Sequence, residues 1–500
     1  MSTFLFLTAA EKRRSVYPLL FDKQGSKMCG IFGAISAKPD QRLPEWVFFG
    51  LSQLQHRGQE SVGVAYSDGD TVYVDKDEGL VSHMLTESKI QEIQKHKPNI
   101  IIGQVRYSTS KGTSSRNIQP QWLDTLCGKI ALVHNGNIPG LESKKGQLLK
   151  DSNKQVEISD QANDTEFMLK KIFFLVTRNG GNMEEAIAEF MSKIYGGYSA
   201  ALMKKDTVYL FRDPWGNRPL FLSSKDGTIL FASETCALKD YSANIVEVPP
   251  GRRVKITPVY DEPQYFVNVE GYQAMPQNIP KAHCVFEDIY FARPDSQTFG
   301  KEEVGSFRFR LGQKLAKLFT VPNADLVSGI PASGQPAAQG FASESKIPYC
   351  DVYIRNPYIL GRTFINPNPG TRAKYSKLKY HLMKWTVKNK VIVLVDDSIV
   401  RGNTMRGKVV ELFNAGAKEV HLRISSPKVV GQCFYGIDLP TKEELIAFDK
   451  SEEEIREWLD ATSLRYLPVS ALEEVLQEGG EMPQNFCRGC FTGEYPIPLE

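Results

Sequence analysis

The run VIVLVDDSIVRGNT, residues 391–404, restricts the fold of this chain more than any other stretch. Five apolar residues in succession, with no polar residue between them, describe a strand buried on both faces. Such strands belong to parallel sheets covered by helices on either side. Asp396 and Asp397 then stand at the carboxyl end of the strand, where open α/β sheets bind their ligands. The loop SIVRGNT offers small residues, hydroxyls and backbone N–H groups, and a helix predicted from about Thr404 points its positive end at it. This is a phosphate site. Two carboxylates beside it suit ribose hydroxyls and a Mg²⁺ ion. A strand with a capping Asp would account for the Asp pair alone, but not for the whole run in register.

The same rhythm extends to either side. ADLVSGIP precedes AAQGFASES, and KEVHLRISS follows the helix of the phosphate loop. The first half reads differently. Short strand-like runs such as CGIFGAI, NIIIGQVRY, KIALVHNG and TVYLFRD alternate with turns, and two longer helical stretches interleave, DTEFMLKKIFFLVTRN and NMEEAIAEFMSKIY. Many strands with a few long helices predict layered sheets covered by helices. Between the halves, residues 256–281 turn rich in Pro, Gln and Tyr and lose periodicity, which places the boundary there. After Pro440, TKEELIAFDKSEEEIREWL and SALEEVLQEG read as charged amphipathic helices leading to a cysteine-bearing tail. At 500 residues, two substantial domains are expected. A net charge of +3 gives no reason to expect nucleic acid or an anionic membrane as partner. No stretch approaches the apolar length of a membrane helix. Eight cysteines are too few for a secreted disulfide scaffold and point to a reducing compartment, the cytoplasm.

One cysteine is oddly placed. Cys29 opens what reads as the first core strand, and the 28 residues ahead of it show no structural pattern. In that lead the basic cluster Lys12, Arg13 and Arg14 follows the apolar run instead of preceding it, the reverse of a signal peptide. Glu11 and Asp22 argue against an organelle transit peptide. A dispensable leader or propeptide, or a chain that begins at Met28, remains.

Motifs downstream explain the seam. QHRGQESVG, IGQVRYSTS, ALVHNGN, NDTE, RDPWGNRPL and FASE occur in the order found in the glutaminase domain of N-terminal-nucleophile amidotransferases, which this half resembles. The phosphate run resembles the binding signature of phosphoribosyltransferases. Together the halves resemble the glutamine phosphoribosylpyrophosphate amidotransferase family over nearly everything from Cys29 to Pro496. The resemblance implies a four-layer αββα sandwich followed by a type I phosphoribosyltransferase α/β domain. It divides the chain into a leader (1–28), a glutaminase (29–255), a phosphoribosyltransferase with its linker (256–470) and a tail (471–500). It implies the first committed step of purine synthesis: phosphoribosyl pyrophosphate, glutamine and water give 5-phosphoribosylamine, glutamate and pyrophosphate. A thiol attacking an amide needs a base, and a freed α-amino group, with a reference pKa near ~8, is suited to that task. Cys29 can use its own amine only when everything before it is removed.

By the same resemblance, Asn135 and the Gly136 N–H form the oxyanion hole, Arg106 binds the glutamine α-carboxylate and Asp164 its α-ammonium group. Asp396 and Asp397 bind ribose and Mg²⁺. Ser398, Ile399, Val400, Arg401, Gly402, Asn403 and Thr404 hold the 5′-phosphate, and Ser333 in PASGQPAA lies near the metal. Arg362 and Thr363 belong to a lid over an internal ammonia route. Cys487 and Cys490 have the spacing of a metal-binding pair. The family pattern makes them ligands of a [4Fe–4S] cluster with Cys284 and Cys433, Cys236 being a rival for the first position and zinc a second choice of metal. Purine nucleotides as feedback inhibitors and a homo-oligomer, a tetramer, are implied as well. Three departures stand out: Ala332 where the family commonly has Asp, one additional residue in RNPYILGRTFI, and Gln104 in place of a usual His. Ala332 alone supports a competing reading, a phosphoribosyl-pyrophosphate sensor that kept the fold and lost turnover. A plain glutaminase, or a transferase using free ammonia, is a smaller alternative.

Overall fold

The computed structural model describes residues 29–107, 115–125, 128–261, 264–273, 279–300, 302–356 and 380–499. The leader, together with Arg362 and Thr363, lies outside them.

Two antiparallel sheets face each other in the first half. The seven-stranded sheet runs Ile245–Glu247, Phe221–Lys225, Thr228–Ala232, Cys29–Ser36, Ile100–Arg106, Ser61–Ser67, Val72–Glu78. The six-stranded sheet runs Gln264–Gln273, Arg252–Asp261, Thr207–Arg212, Gly197–Lys204, Gly128–Asn137, Gln121–Thr125. Strand alternation explains the layering. Ile31 and Ile35 face inward to meet Ala131, Val133, Ala201 and Leu210 of the other sheet. Phe32 and Ala34 face outward, under Leu43, Val47 and Leu51 of the helix Leu43–Gln53. On the far side, Ile130 and Leu132 are covered by the helices Asp164–Arg178 and Met183–Lys193. The order is therefore helix, sheet, sheet, helix. The strand Cys29–Ser36 has every residue buried, which is why it reads as an unbroken apolar run.

The second half holds a four-stranded parallel sheet in the order Leu326–Gly329, Val391–Asp396, Glu419–Ile424, Ser463–Tyr466. Val393 and Val395 pack toward the helices Val304–Phe319 and Gln335–Ser345, and Ile392 and Leu394 toward the helix Asn403–Asn414. Burial on both faces is as the run VIVLV predicts.

Two expectations differ from the structure. Much of the segment expected as an aperiodic linker is an edge hairpin of the six-stranded sheet, paired from Arg252↔Gln273 to Asp261↔Gln264. An edge ribbon buries little. Of its apolar residues, Val254, Ile256 and Val267 join the inter-sheet core while Val269 and Tyr272 stay exposed, so no strong alternation reaches the sequence. The long helix expected over 441–459 is instead one turn at Lys442–Glu444 and a short helix Glu452–Trp458. Between them Leu445, Ile446 and Ala447 dive into the core, and the Ile446 N–H donates to the Val400 carbonyl at 3.0 Å. The second helix begins at a capping box of Ser451 and Glu454. The division placed at residue 470 falls inside the helix Val469–Glu478, which shares a core with Val304–Phe319.

The helices Val304–Phe319 and Gln335–Ser345 pack backbone to backbone. A Cβ on Gly312 would overlap the Ala337 carbonyl, and one on Gly340 the Phe309 carbonyl. Gly146, in the helix Leu141–Asp151, has nothing within 4 Å of such a Cβ. We therefore expect Gly312→Leu to destabilise the protein by about 3 kcal/mol, whereas Gly146→Ala should stabilise it by roughly 0.5–1 kcal/mol. Thermal unfolding of the two variants checks both signs.

Candidate active site

Cys29 begins the central strand of the first sheet and lies directly opposite Arg106 on the neighbouring strand. Its backbone N–H donates to Asn135 Oδ1 at 3.3 Å. That bond crosses between the two sheets, since Asn135 ends a strand of the other one. Asn135 has no exposed surface, and its Nδ2 is buried with no acceptor. Arg106 is 1% exposed, and its Nε and Nη1 are likewise buried without partners. Orphaned buried donors are costly, and native structures keep few of them. Gly136 follows Asn135 with φ +139°, and a Cβ there would run into the Gly197 carbonyl. Asp164 opens the helix Asp164–Arg178, whose N-cap Asn163 accepts from the Glu166 N–H. Its Oδ2 lies 3.3 Å from Nε2 of the buried His134. Gln104, the residue where His is usual, donates from Nε2 to the His134 carbonyl at 3.2 Å, so it braces the two sheets. The sequence-predicted residues Cys29, Arg106, Asn135, Gly136 and Asp164 thus come together around the junction of the two sheets.

The second centre forms at the end of Val391–Asp396. The Asp397 N–H donates to Asp396 Oδ1 at 3.0 Å, and Ser398 Oγ donates to Asp397 Oδ1 at 2.7 Å. The turn after Leu326–Gly329 approaches the acidic pair closely, since a Cβ on Gly334 would lie 3.1 Å from Asp396 Oδ1. Burial raises the Asp397 carboxyl, and Ser333 on the same turn is near enough to lower it against that effect. Burial, and next the charge of Asp397, push the Asp396 carboxyl well above the ordinary range. Such a pair calls for a cation. Ile399 is buried and anchors the loop, Val400 accepts from Ile446, and Arg401 Nε pairs with Glu444 Oε2 at 2.7 Å. Gly402 precedes the helix Asn403–Asn414, and no side chain caps that helix. Asn403 and Thr404 are exposed at its first turn.

Cys284, Cys433, Cys487 and Cys490 line one small pocket with Phe286, Tyr435 and Tyr495. A two-residue parallel ladder sets Cys284 opposite Cys487. Cys433 Sγ accepts the N–H groups of Tyr435 and Ile437, each at 3.4 Å. Cys236 is elsewhere, with its thiol 3.7 Å from Glu234 Oε2.

A model of the glutamine amidotransferase domain matches residues 105–240. The amidophosphoribosyltransferase of Methanocaldococcus jannaschii is 38% identical over 94% of this chain and 98% of its own. The human one is 35% identical, again over 94% and 98%. The chain belongs to the amidophosphoribosyltransferase family. A solved glutamine phosphoribosylpyrophosphate amidotransferase from B. subtilis, in complex with ADP and GMP, superposes with a TM-score of 0.82 at 36% identity, covering 94% of this chain and 98% of that one. This family member is therefore a glutamine amidotransferase and a pentosyltransferase in one chain, and its fold is the sandwich followed by the phosphoribosyltransferase sheet.

What ties the halves of this amidophosphoribosyltransferase together was only partly legible. Two motifs quoted for the resemblance, QHRGQESVG with Arg57 and RDPWGNRPL with Arg218, meet at one buried carboxylate outside them. Glu287 Oε1 accepts from Arg57 Nη2 and from Arg218 Nη1, both at 2.8 Å, and all three side chains have no exposed surface. Arg57 Nε also donates to the Cys29 carbonyl at 2.9 Å. Arg218 Nε and Nη2 hold the Tyr435 carbonyl at 3.0 and 2.9 Å. A second carboxylate, Glu234, pairs with Arg57 and, at 2.7 Å, with His56. Burial alone would raise its carboxyl, but His56 and Arg57 hold it well below the ordinary range. His56, Arg57, Arg218 and Glu234 lie in quoted motifs and Glu287 does not, and nothing in the spacing says that they pair. Removing the shared buried partner leaves Arg218 without a carboxylate and Arg57 with Glu234 alone, so Glu287→Ala should destabilise the protein by about 3–5 kcal/mol. Unfolding measurements against a distant surface control such as Glu453→Ala check it.

Proposed function

We propose that this chain converts phosphoribosyl pyrophosphate, glutamine and water to 5-phosphoribosylamine, glutamate and pyrophosphate, the opening step of purine synthesis. The observation that carries the glutaminase half is the set of orphaned donors around Cys29. Once residues 1–28 are removed, the α-amine of Cys29 sits beside Asn135 Oδ1 and takes the thiol proton as sulfur attacks the glutamine amide carbon. Asn135 Nδ2, buried and without an acceptor, donates to the oxygen that becomes negative, together with the Gly136 N–H. The C–N bond breaks, ammonia leaves, and water hydrolyses the γ-glutamyl thioester. Arg106 supplies Nε and Nη1 to the substrate α-carboxylate in a charge-assisted pair, and Asp164 holds the α-ammonium group. Ammonia then passes inside the protein, past the seam where Asn137 Nδ2 donates to the Phe434 carbonyl at 2.9 Å. It displaces pyrophosphate at C1 of the ribose.

At that second site Asp396 and Asp397 receive the ribose hydroxyls, and residues 398–404 surround the 5′-phosphate with N–H groups and hydroxyls. The raised Asp396 carboxyl and the nearby Ser333 support a Mg²⁺ site, where the ion would neutralise charge on the departing pyrophosphate. Arg362 and Thr363 complete the reading as residues over the route. Ala332 is exposed on the turn that carries Ser333, and the loss of an Asp there removes one charge from that turn.

The four cysteines fit a [4Fe–4S] cluster better than zinc. Among the described residues no three His, Cys, Asp or Glu side chains are grouped closely enough for one ion, yet four sulfurs line one pocket. Burial pushes the Cys487 thiol up to about 12, so thiolates there need a positive charge. A cluster would fasten the tail to the body. Purine nucleotides as inhibitors, a tetramer and a cytoplasmic setting complete the proposal. The nucleotide part draws on the ADP and GMP bound in the B. subtilis relative; the tetramer and the cytoplasmic setting follow from the family resemblance and the cysteine content of the sequence.

The deciding experiment is a glutamine-dependent phosphoribosylamine assay with the intact mass measured in parallel. Active protein should begin at Cys29, and full activity with residues 1–27 retained would overturn the nucleophile assignment. Cys29→Ala should abolish glutamine use, with activity from added ammonia kept. Asp397→Asn should lower product formation from either nitrogen source by at least ~10-fold, the effect of losing a charged contact. A folded sensor protein without turnover would show neither activity. Anaerobically purified protein should be brown, with about four irons and four sulfides per chain. Colourless, fully active protein holding one zinc would defeat the cluster assignment alone.

A further inference from the structure

The helix Asn403–Asn414, which starts at the phosphate loop, buries Met405, Lys408, Val409 and Leu412. That spacing is an apolar stripe, and one of its members is a lysine with 6% of its surface exposed. A cation in a core is unfavourable unless something compensates it. Two rings and a carboxylate do so here. Lys408 Nζ stands 3.9 Å from the centre of the Tyr353 ring and 4.2 Å from that of Tyr380, distances at which ring faces hold an ammonium group. The Tyr353 hydroxyl donates to the Lys408 carbonyl at 2.9 Å. Both tyrosines lie on the two-stranded ribbon of Tyr353–Arg355 and Tyr380–Leu382, so the lysine ties that ribbon to the phosphate-loop helix. Burial pushes its ammonium down to about 8, against the opposing pull of Asp396 and then Glu411. A purely structural role would be filled as well by leucine or methionine, which need no compensation. The charge is what an apolar residue could not supply.

We propose that Lys408 is a positioning residue of the phosphoribosyl site: its buried charge offsets the negative charge of Asp396 as an anionic sugar phosphate approaches, and its grip on two rings holds the ribbon against the helix. The inference rests on the phosphoribosyl reading of that site. Its test compares wild type, Lys408→Met and Lys408→Arg with ammonia as nitrogen source, so that the glutaminase does not enter the measurement. Lys408→Met should melt at or above the wild-type temperature, because methionine suits the stripe. Its KM for phosphoribosyl pyrophosphate should rise about tenfold with kcat nearly unchanged, the scale expected for one charge acting over several ångströms at an effective dielectric near ~20. Lys408→Arg, which keeps the charge, should stay near the wild-type KM. Lys408→Gln serves the same comparison if the Met variant does not accumulate. A well-folded uncharged variant with wild-type KM overturns the inference. So does one whose melting temperature and kcat fall while KM stays, since that is a structural role. A wild type that neither binds nor turns over phosphoribosyl pyrophosphate would overturn the reading of the site, and this inference with it.

Discussion

The Glu287 carboxylate, shared by Arg57 and Arg218 with no solvent on any of the three side chains, is the interaction on which the rest of the molecule depends. A buried ion pair gives little net stability over apolar packing, but losing one partner is severe. It therefore acts as a specification of geometry. Arg57 belongs to the first half and carries the Cys29 carbonyl. Arg218, also of the first half, carries the Tyr435 carbonyl of the second. Glu287 lies on the π-helical turn Glu287–Phe291 that enters the second half, a type of turn that recurs at functional sites. Cys29 and the cysteine pocket are thus positioned by one charge, and the halves cannot separate without stranding it.

The buried groups around Cys29 follow a related logic. The fold leaves donors unused there, Asn135 Nδ2 and two nitrogens of Arg106. A core designed for stability alone would satisfy them or replace them. Holding them ready in a water-poor site lets substrate gain interactions that need little reorganisation. The end of the strand Val391–Asp396 stores the opposite charge. Asp396 and Asp397 face each other's repulsion there, where Ser398 donates to Asp397 and the buried Lys408 acts on Asp396. One chain therefore keeps a set of unused buried donors in its first half and a buried acidic pair in its second.

Much of the site was legible because its chemistry is local. Cys29 at a seam, HNGN with its positive-φ glycine, and VDDSIVRGNT after five apolar residues each encode a strand end and the groups presented there. The αββα layering was legible for the same reason, since strands buried on both faces read as continuous apolar runs. Legibility failed where burial is slight or where partners are distant. The hairpin Arg252–Asp261 and Gln264–Gln273 buries too little to impose alternation. The stretch 441–459 has the charges of a helix, but Leu445, Ile446 and Ala447 gain more by entering the core beneath Val400 than by continuing one. Lys408 looked like an ordinary helix residue, because a sequence does not display which face meets two tyrosine rings.

The sequence by itself determined the elements and the reactive groups at their ends, through backbone preference, burial pattern and the chemistry of individual side chains. Only the tertiary structure decided which of those groups meet. Spacing alone leaves Cys236 as a rival to Cys284, yet a two-residue ladder sets Cys284 against Cys487 while Cys236 stays beside Glu234. Arg57, Arg218 and Glu287 are three charges far apart in the chain until packing closes them on one another. The reason is physical. Local conformation depends on neighbours in the chain, whereas the approach of distant side chains depends on how whole sheets and helices bury their faces, and that is settled by the sum of the contacts.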